Sequence, residues 1–382
     1  MKIVHICLCG AMTDGFNYQE NVITKYHRKM GYDVTIIASQ WIWGTDGKLQ
    51  KMEESNYTNA DGVKMLRLPI KCGNVNNRLK IYPDLYESIE KEKPDILFIH
   101  DCQFLDIKVI ARYAKFHRNV KIYVDNHVDY SNGAHGWVSK NVLHKGLWRY
   151  CIKKIEPYVT KFYGVLPARV NFLKELYDIP ADKCELLVMG ADDELVEKAG
   201  LPIVKVHIRD KYQIGKEDFL IVTGGKIDRW KTQTLLLMRA VKDSTGNIRL
   251  IVFGSVSDDL KNEVLALADG HKIQYVGWMN SEQSYELFAA ADLVVFPGRH
   301  SVFWEQVAGQ GIPMIVKDWT GTHHVDLGGN VTFLTQDSYD EIQRDIEDLV
   351  NNPEKLENMK RVAKEKGMKA FSYLDIARRS IE

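Results

Sequence analysis

The sequence lacks several things at once. No stretch approaches the roughly 18 consecutive apolar residues that a bilayer-spanning helix needs, so no transmembrane segment is expected. Neither sign of charge is in excess: Lys+Arg and Asp+Glu both total 51, so any basic surface for nucleic acid would have to be local. Cysteine is scarce, with six in 382 residues. Cys7, Cys9, Cys72, Cys102, Cys151 and Cys184 show no paired metal spacing, and several lie in apolar runs. They read as structural thiols of a reducing compartment, with no metal expected. The G-x-G-x-x-G fingerprint is absent, which disfavours a dinucleotide-dependent oxidoreductase. The amino terminus, MKIVHICLCG, reads as a strand from residue 3; as a signal peptide it is too short and lacks a cleavage site. With 45% hydrophobic and 27% charged residues, a cytoplasmic globular protein is expected.

What is present is an alternation. Short, nearly continuous apolar runs (KIVHICLC, DVTIIAS, VKMLRLP, DILFIH, KIYVDNH, FYGVLP and CELLVMG) are separated by segments of helical periodicity such as 18–30 and 107–116. Runs of that kind are strands buried on both faces, and their alternation with helices gives a parallel α/β sheet. The pattern restarts near residue 202 with FLIVTGG, IRLIVFGS, IQYVGW, DLVVFP and PMIVKD. Residues 200–218 read as the joint. Two doubly wound Rossmann-like domains facing a central cleft are expected, over 1–200 and 201–365, with an amphipathic helix over 366–382.

In open parallel sheets ligands bind beyond the carboxyl ends of the strands, so strand-end residues are the candidates. The first strand runs into CGAMTDGFNYQE, where Gly10 and Gly15 bracket a loop entering a helix near Tyr18; such a loop admits close backbone approach and an anion or hydroxyl at the helix start. The next strand ends offer His100 and Asp101, then Asp125, Asn126 and His127, with His135 and Trp137 beyond. A single strand-end histidine is a weak signal; two adjacent strand ends that both supply His and Asp are a stronger one. In the second half, GGKIDRWK places Lys226 and Lys231 about a glycine turn and a helix start, which suits a pyrophosphate. Gly254 ends another strand, and Trp278 follows a strand-end glycine, where it could stack on a base or pack. Residues 291–316, ADLVVFPGRHSVFWEQVAGQGIPMIV, are strand, loop, short helix and strand. Glu305 opens that helix behind a loop carrying Arg299 and His300, and a carboxylate there is a good acceptor for two vicinal hydroxyls.

These segments, in this order, resemble the retaining GT-B glycosyltransferases, specifically glycosyltransferase family 4. TGGKIDRWKT is similar to that family's G-R-L-x-x-x-K-G segment, with Lys226 at the Arg and Lys231 at the Lys. LIVFGS matches its V-x-G loop, WEQVAGQGIPMIV its E-A-M-A-x-G-x-P-V-I, and LLVMGAD its I-P-N-G-V-D. FSYLDIARR resembles the helix that crosses back to the N-terminal domain. The likeness spans essentially the whole chain. It implies a C-terminal domain for a nucleotide-sugar, UDP-linked as the commonest donor, and an N-terminal domain for the acceptor. Lys226 and Lys231 would neutralise the diphosphate leaving group, Glu305 would hold the ribose hydroxyls, and His127 would stand near the transferred sugar. Gly15, Gly225, Gly254, Trp278, Arg299, His300, Ser301, Val302 and Phe303 would line the donor site. Asp14, Tyr18, Gln19, His100, Asp101, Asn126 and His135 would line the acceptor site.

One departure stands out. The family signature is E-x7-E, and eight residues before Glu305 is Pro297. No acid lies between them, so the first acid's task is absent or falls to Arg299, His300 or Ser301. Without paired carboxylates at hydrolase spacing, the resemblance implies front-face retaining transfer, with no metal and no cofactor beyond the donor. A nucleotide-sugar 2-epimerase of the same fold and a non-catalytic sugar-nucleotide-binding protein are the competing readings. Residues 139–161 combine Lys140, Lys145, Arg149, Lys153 and Lys154 with Leu143, Leu147, Trp148, Tyr150 and Ile152. They read either as a solvated helix or as a basic amphipathic face for peripheral contact with the inner face of an anionic membrane, serving a glycan, polysaccharide or lipid-linked acceptor.

Overall fold

The structure, a computed structural model, describes residues 1–44, 48–71 and 79–382. The chain divides into two compact units: residues 1–188 with 376–382, and residues 189–375. The expected border at 200/201 therefore falls at 188/189. Residues 200–218 are also not a joint. Pro202–Lys211 is a helix of the second unit, held by Arg209, which donates to Asp292 and to the carbonyls of Gly215 and Asp218.

The first unit contains β1 (Lys2–Cys7), β2 (Asp33–Ser39), β3 (Trp41–Trp43), β4 (Leu49–Lys51), β5 (Asn56–Thr58), β6 (Lys64–Leu68), β7 (Ile96–His100), β8 (Lys121–Asn126), β9 (Lys161–Gly164) and β10 (Cys184–Leu186). Eight of these form one sheet in the order β10-β9-β8-β7-β1-β2-β6-β5; β3 and β4 pair separately. All pairs in the large sheet are parallel except β5 with β6. The side-chain period of two splits the central strands into two faces. Val4, Ile6, Leu97, Ile99, Ile122, Val124 and Phe162 point into a core with Ile107, Ile110, Cys151, Ile152 and Phe172. By the same alternation His5, Phe98, His100, Tyr123, Asp125 and Tyr163 share the other face, with His5 beside Phe98 and His100 beside Asp125 in register. That face meets the Gln19–Lys29 helix through His27, and the chain end through Tyr123, whose hydroxyl donates to the Ile381 carbonyl.

The second unit contains β11 (Phe219–Gly224), β12 (Ile248–Phe253), β13 (Ile273–Tyr275), β14 (Leu293–Phe296), β15 (Met314–Lys317) and β16 (Val331–Leu334), parallel throughout in the order β13-β12-β11-β14-β15-β16. Ile221, Leu250, Val252, Leu293, Val295 and Ile315 pack on Leu237, Met238, Val241, Ile342 and Ile346 of the covering helices. Two parallel α/β units of this kind form the expected architecture. Cys7, Cys9, Cys102, Cys151 and Cys184 are free; Cys72 lies outside the described residues.

The basic amphipathic segment turns a different face to solvent than its composition suggests. Trp148 and Ile152 are buried in the first unit's core and Leu147 packs against it. Arg149 and Lys153 are engaged with Asp178. Trp137, Val138, Val142, Leu143 and Tyr150 are the exposed large apolar residues there. Among the described residues no helix is long and apolar enough to cross a membrane.

Candidate functional site

In the first unit the polar residues gather at the carboxyl ends of β7 and β8. Asp125 is fully buried. Its Oδ2 is 2.8 Å from His100 Nδ1, and its Oδ1 accepts from the Asp101 backbone N–H at 3.0 Å and lies 3.3 Å from His127 Nε2. Asp101 holds a left-handed backbone (φ 62°), an uncommon conformation for a residue with a side chain. Its carboxylate accepts the His127 backbone N–H at 2.7 Å. The two strand ends are thus tied together. Burial opposes charge on His127, but the Asp125 carboxylate beside it, with help from Asp101, raises the imidazole to about 9. The same histidines hold the Asp125 carboxyl far below the usual carboxylate range despite its burial. His127 is the member of this group with side-chain exposure, about a quarter.

Other residues expected at the acceptor site are placed differently. Asn126 is consumed internally, accepting from Gln103 and donating to the Val128 carbonyl; its burial at the end of β8 makes it a structural residue rather than an acceptor ligand. Asp14 is bound by the Tyr57 hydroxyl and by Arg67. Arg67, buried and bonded also to the carbonyls of Met12 and Ser39, clamps the loop from beneath. Gly15 has φ 75° with open space at its Cβ position, so conformation and not close approach requires it. Gln19 is buried with both amide atoms unpartnered among the described residues, while Tyr18 and His135 are exposed. Glu20, one position beyond Gln19, lies inside the helix and so does not answer the strand-end rule; burial raises its carboxyl, with His100 and His127 acting against that. A recess of about 320 Å³ opens beyond β1, walled by Leu8, Cys9, Gly10, Trp41 and Tyr82 among others.

In the second unit, glycines at three strand ends bring backbones together. A Cβ on Gly254 (φ 122°) would lie 1.9 Å from the Gly225 carbonyl, and the Gly254 N–H donates to the Gly277 carbonyl at 2.7 Å. Lys231 Nζ reaches back over this turn, 3.9 Å from the Cβ position of Gly225. Among the described residues Lys231 has no ion pair within 4 Å. Burial lowers its pKa; Asp228 opposes this and the Arg299 charge adds to it. The Arg299 guanidinium lies over the rings of Trp230, at 5.0 Å, and Trp319, at 6.0 Å. Lys226 is different: it is exposed and faces Asp228 at 3.5 Å. Trp278 is exposed. Phe303 belongs to an aromatic group with Phe253, Phe288 and Phe296, so its ring supports the turn. Ser301 and Val302 precede the helix Phe303–Gly309, their carbonyls accepting from Trp304 and Gln306.

Glu305 departs most from expectation. It is wholly buried rather than presented to a ligand. Its Oε1 lies 2.8 Å from both His300 Nε2 and His324 Nε2, and Oε2 has no partner among the described residues. Burial works against the charge, but His300 and then His324 hold the carboxyl down to about 2. His300 is the partly exposed member of this trio. His324 was not singled out from the sequence, although the polar residues after β15 answer the same strand-end rule that selected His100.

Two groups could gather round a cation: His100, Asp125 and His127, and His300, Glu305 and His324. Ligands at zinc distances on a tetrahedron stand about 3.4 Å apart. The 2.8 Å contacts of both groups are hydrogen-bond separations.

Residues 204–366 match the family model for glycosyl transferases group 1. Solved structures share the fold over nearly the whole chain. A glycosyltransferase from Rickettsia africae ESF-5 is 14% identical with a TM-score of 0.70, over 99% of this chain and 96% of that one. Anabaena Alr3699/HepE in complex with UDP is 13% identical with a TM-score of 0.69, over 99% and 98%. The UDP-GlcNAc 2-epimerase from Neisseria meningitidis bound to UDP-GlcNAc is 13% identical with a TM-score of 0.62, over 99% and 98%. A comparison with curated protein sequences gives no match. The fold is that of the GT-B glycosyltransferases, and residues 204–366 of the chain are similar to the group 1 glycosyl transferase domain.

Proposed function

We propose that the chain moves a hexose or related sugar from a UDP-sugar to a hydroxyl of a glycan, polysaccharide or lipid-linked acceptor, with retention at the anomeric carbon. The observation that carries this reading is Lys231: a half-buried cation without an ion pair among the described residues, aimed over the Gly225 turn and close enough to Arg299 for their charges to repel. A partly buried lysine with an exposed arginine beside it at a glycine turn favours a diphosphate and stabilises the charge that develops as it leaves. Lys226, exposed at the rim, assists the anion's approach. Trp230 and Trp319, flanking Arg299, offer flat apolar faces to the nucleoside.

His127 enters as an imidazolium at neutral pH, so it donates a hydrogen bond to the transferred sugar and is not the general base. The acceptor hydroxyl attacks on the face of the departing phosphate, which takes its proton. Glu305 acts through His300: the buried carboxylate fixes the ring, and the ring reaches the donor. The acceptor enters at the recess beyond β1.

A screen of UDP-, GDP-, ADP- and dTDP-sugars for nucleotide release tests this. The expected outcome is release from one UDP-sugar that depends on an acceptor, with a product of retained configuration. Acceptor-independent conversion of the sugar at C2 would instead select the epimerase reading, which the likeness to the Neisseria enzyme favours. Binding without turnover of any donor would select the non-catalytic one.

A further inference from the structure

Behind His127 lies a row of rings with no part in the transfer chemistry. Starting at the chain end, His27 Nε2 lies 2.8 Å from the Ala377 carbonyl and 3.1 Å from Ser380 Oγ. His27 Nδ1 is 3.0 Å from His5 Nε2, His5 Nδ1 is 2.9 Å from His100 Nε2, and His100 Nδ1 is 2.8 Å from Asp125 Oδ2. All three rings are buried. They belong to different elements: β1, the Gln19–Lys29 helix and β7.

Counting protons along the row gives a definite result. Both ends only accept. The Ala377 carbonyl has no proton, and the Ser380 hydroxyl gives its own to that same carbonyl at 2.8 Å. The Asp125 carboxylate is the other end. His27 must therefore donate from Nε2, which leaves Nδ1 to accept from His5 Nε2–H. His5 Nδ1 must then accept from His100 Nε2–H. His100 Nδ1 faces an acceptor again and needs a second proton on the same ring. Three neutral imidazoles carry one proton each, yet the row contains four hydrogen bonds.

We infer that His27, His5 and His100 are positioning residues that together hold one proton more than three neutral rings carry, and that this proton, on His100, fixes Asp125 as a carboxylate and so orients His127. The last clause rests on His127 being the group that meets the sugar. Burial favours neutral His5 and His27, pushing His5 well below its ordinary value and His27 to about 4. The charged and titratable groups facing the row are Glu20, Asp101, Asp125 and His127, with Arg169 acting on His127 and the Cys7 thiol raised by its burial. The chain end is part of the device. With no acceptor at Ala377, His27 could turn its proton the other way, and three neutral rings would then complete the remaining bonds.

Ring-nitrogen NMR on the full-length protein with ¹⁵N-labelled histidine tests this between pH 7 and 8. Wild type is expected to show His27 and His5 protonated at Nε2 alone and His100 at both nitrogens. His27→Leu leaves His5 without its acceptor; the two remaining rings then satisfy their two bonds with two protons, and His100 should drop to one. His27→Gln donates to Ala377 and accepts from His5, so it should restore the doubly protonated ring. In transfer assays His27→Leu should lower kcat about tenfold, the scale of a lost orienting partner, with KM for the donor unchanged and the pH profile displaced; His27→Gln should reverse both. A singly protonated His100 in wild type, or one unchanged in His27→Leu, overturns the inference. The NMR result does not depend on turnover, so absence of activity with every UDP-sugar alongside the expected spectra would count against the transferase reading alone.

Discussion

Single residues divide into those that face a ligand and those that hold them. Glu305 shows the difference. As an acid opening a helix it was legible in the sequence, but its wrapping by His300 and His324 was not, because His324 reaches it from beyond the next strand, β15. Removing one partner of a buried ionic group leaves the others unpaired, which costs more than the group itself contributes. Glu305→Ala should therefore destabilise by roughly 3 kcal/mol, while Glu305→Gln, which keeps an acceptor for the rings, should lose much less; urea unfolding of both variants distinguishes them. The carboxyl is depressed from 4.5 to about 2. Its stabilisation is thus fully present above about 4.5 and is lost as pH falls toward 2. In Glu305→Gln the drop in unfolding midpoint over that window should be smaller than in wild type.

Elements were more legible than residues. Apolar runs read directly as β1, β2 and β6 to β15. The misses have physical causes. β4 and β5 are mostly exposed and lack an apolar run, and β3, Trp41–Trp43, is apolar but only three residues long. β16 (VTFL) is brief and only half buried, as an edge strand of the second sheet. The helix Pro202–Lys211 reads as a joint in the sequence because its mean composition is polar and one of its residues, Ile208, is buried. The strand-end glycines make a sharper case. Gly254→Ala forces a Cβ onto the Gly225 carbonyl at a backbone angle side chains avoid, and should lower stability by roughly 2 kcal/mol or more, seen as a reduced thermal midpoint and weakened nucleotide binding together. At residues 136–155, periodicity gave the helix but not its orientation: Trp148 turns inward, while Trp137, Val142 and Tyr150 turn out. If that exposed face meets anionic lipid, vesicles with phosphatidylserine should co-float the protein at low salt, and Trp137→Ala with Val142→Ser should abolish it. Absence of flotation by wild type would remove membrane contact from the account.

At the scale of the whole molecule, two parallel sheets with chemistry at their strand ends were legible from alternation alone. The return of the chain end was expected from the likeness of FSYLDIARR to a crossing helix, and residues 376–382 do join the first unit, but the borders at 188/189 and 375/376 were not legible; the carbonyls of the returning segment close the hydrogen bonds of Tyr123, Tyr163 and His27. Nothing local in FSYLDIARR announces which rings it will meet.

The central claim is that the glycine turn under Lys231 receives the diphosphate of a UDP-sugar. Calorimetric titration of UDP into wild type and Lys231→Met, with folding of the variant checked by its thermal midpoint, tests it most directly. The expected result is saturable one-to-one binding by wild type, weakened about tenfold or more in Lys231→Met by loss of a charge-assisted contact worth roughly 1.5–3 kcal/mol. Equal affinity in the two proteins, or no binding of UDP by wild type, would contradict it.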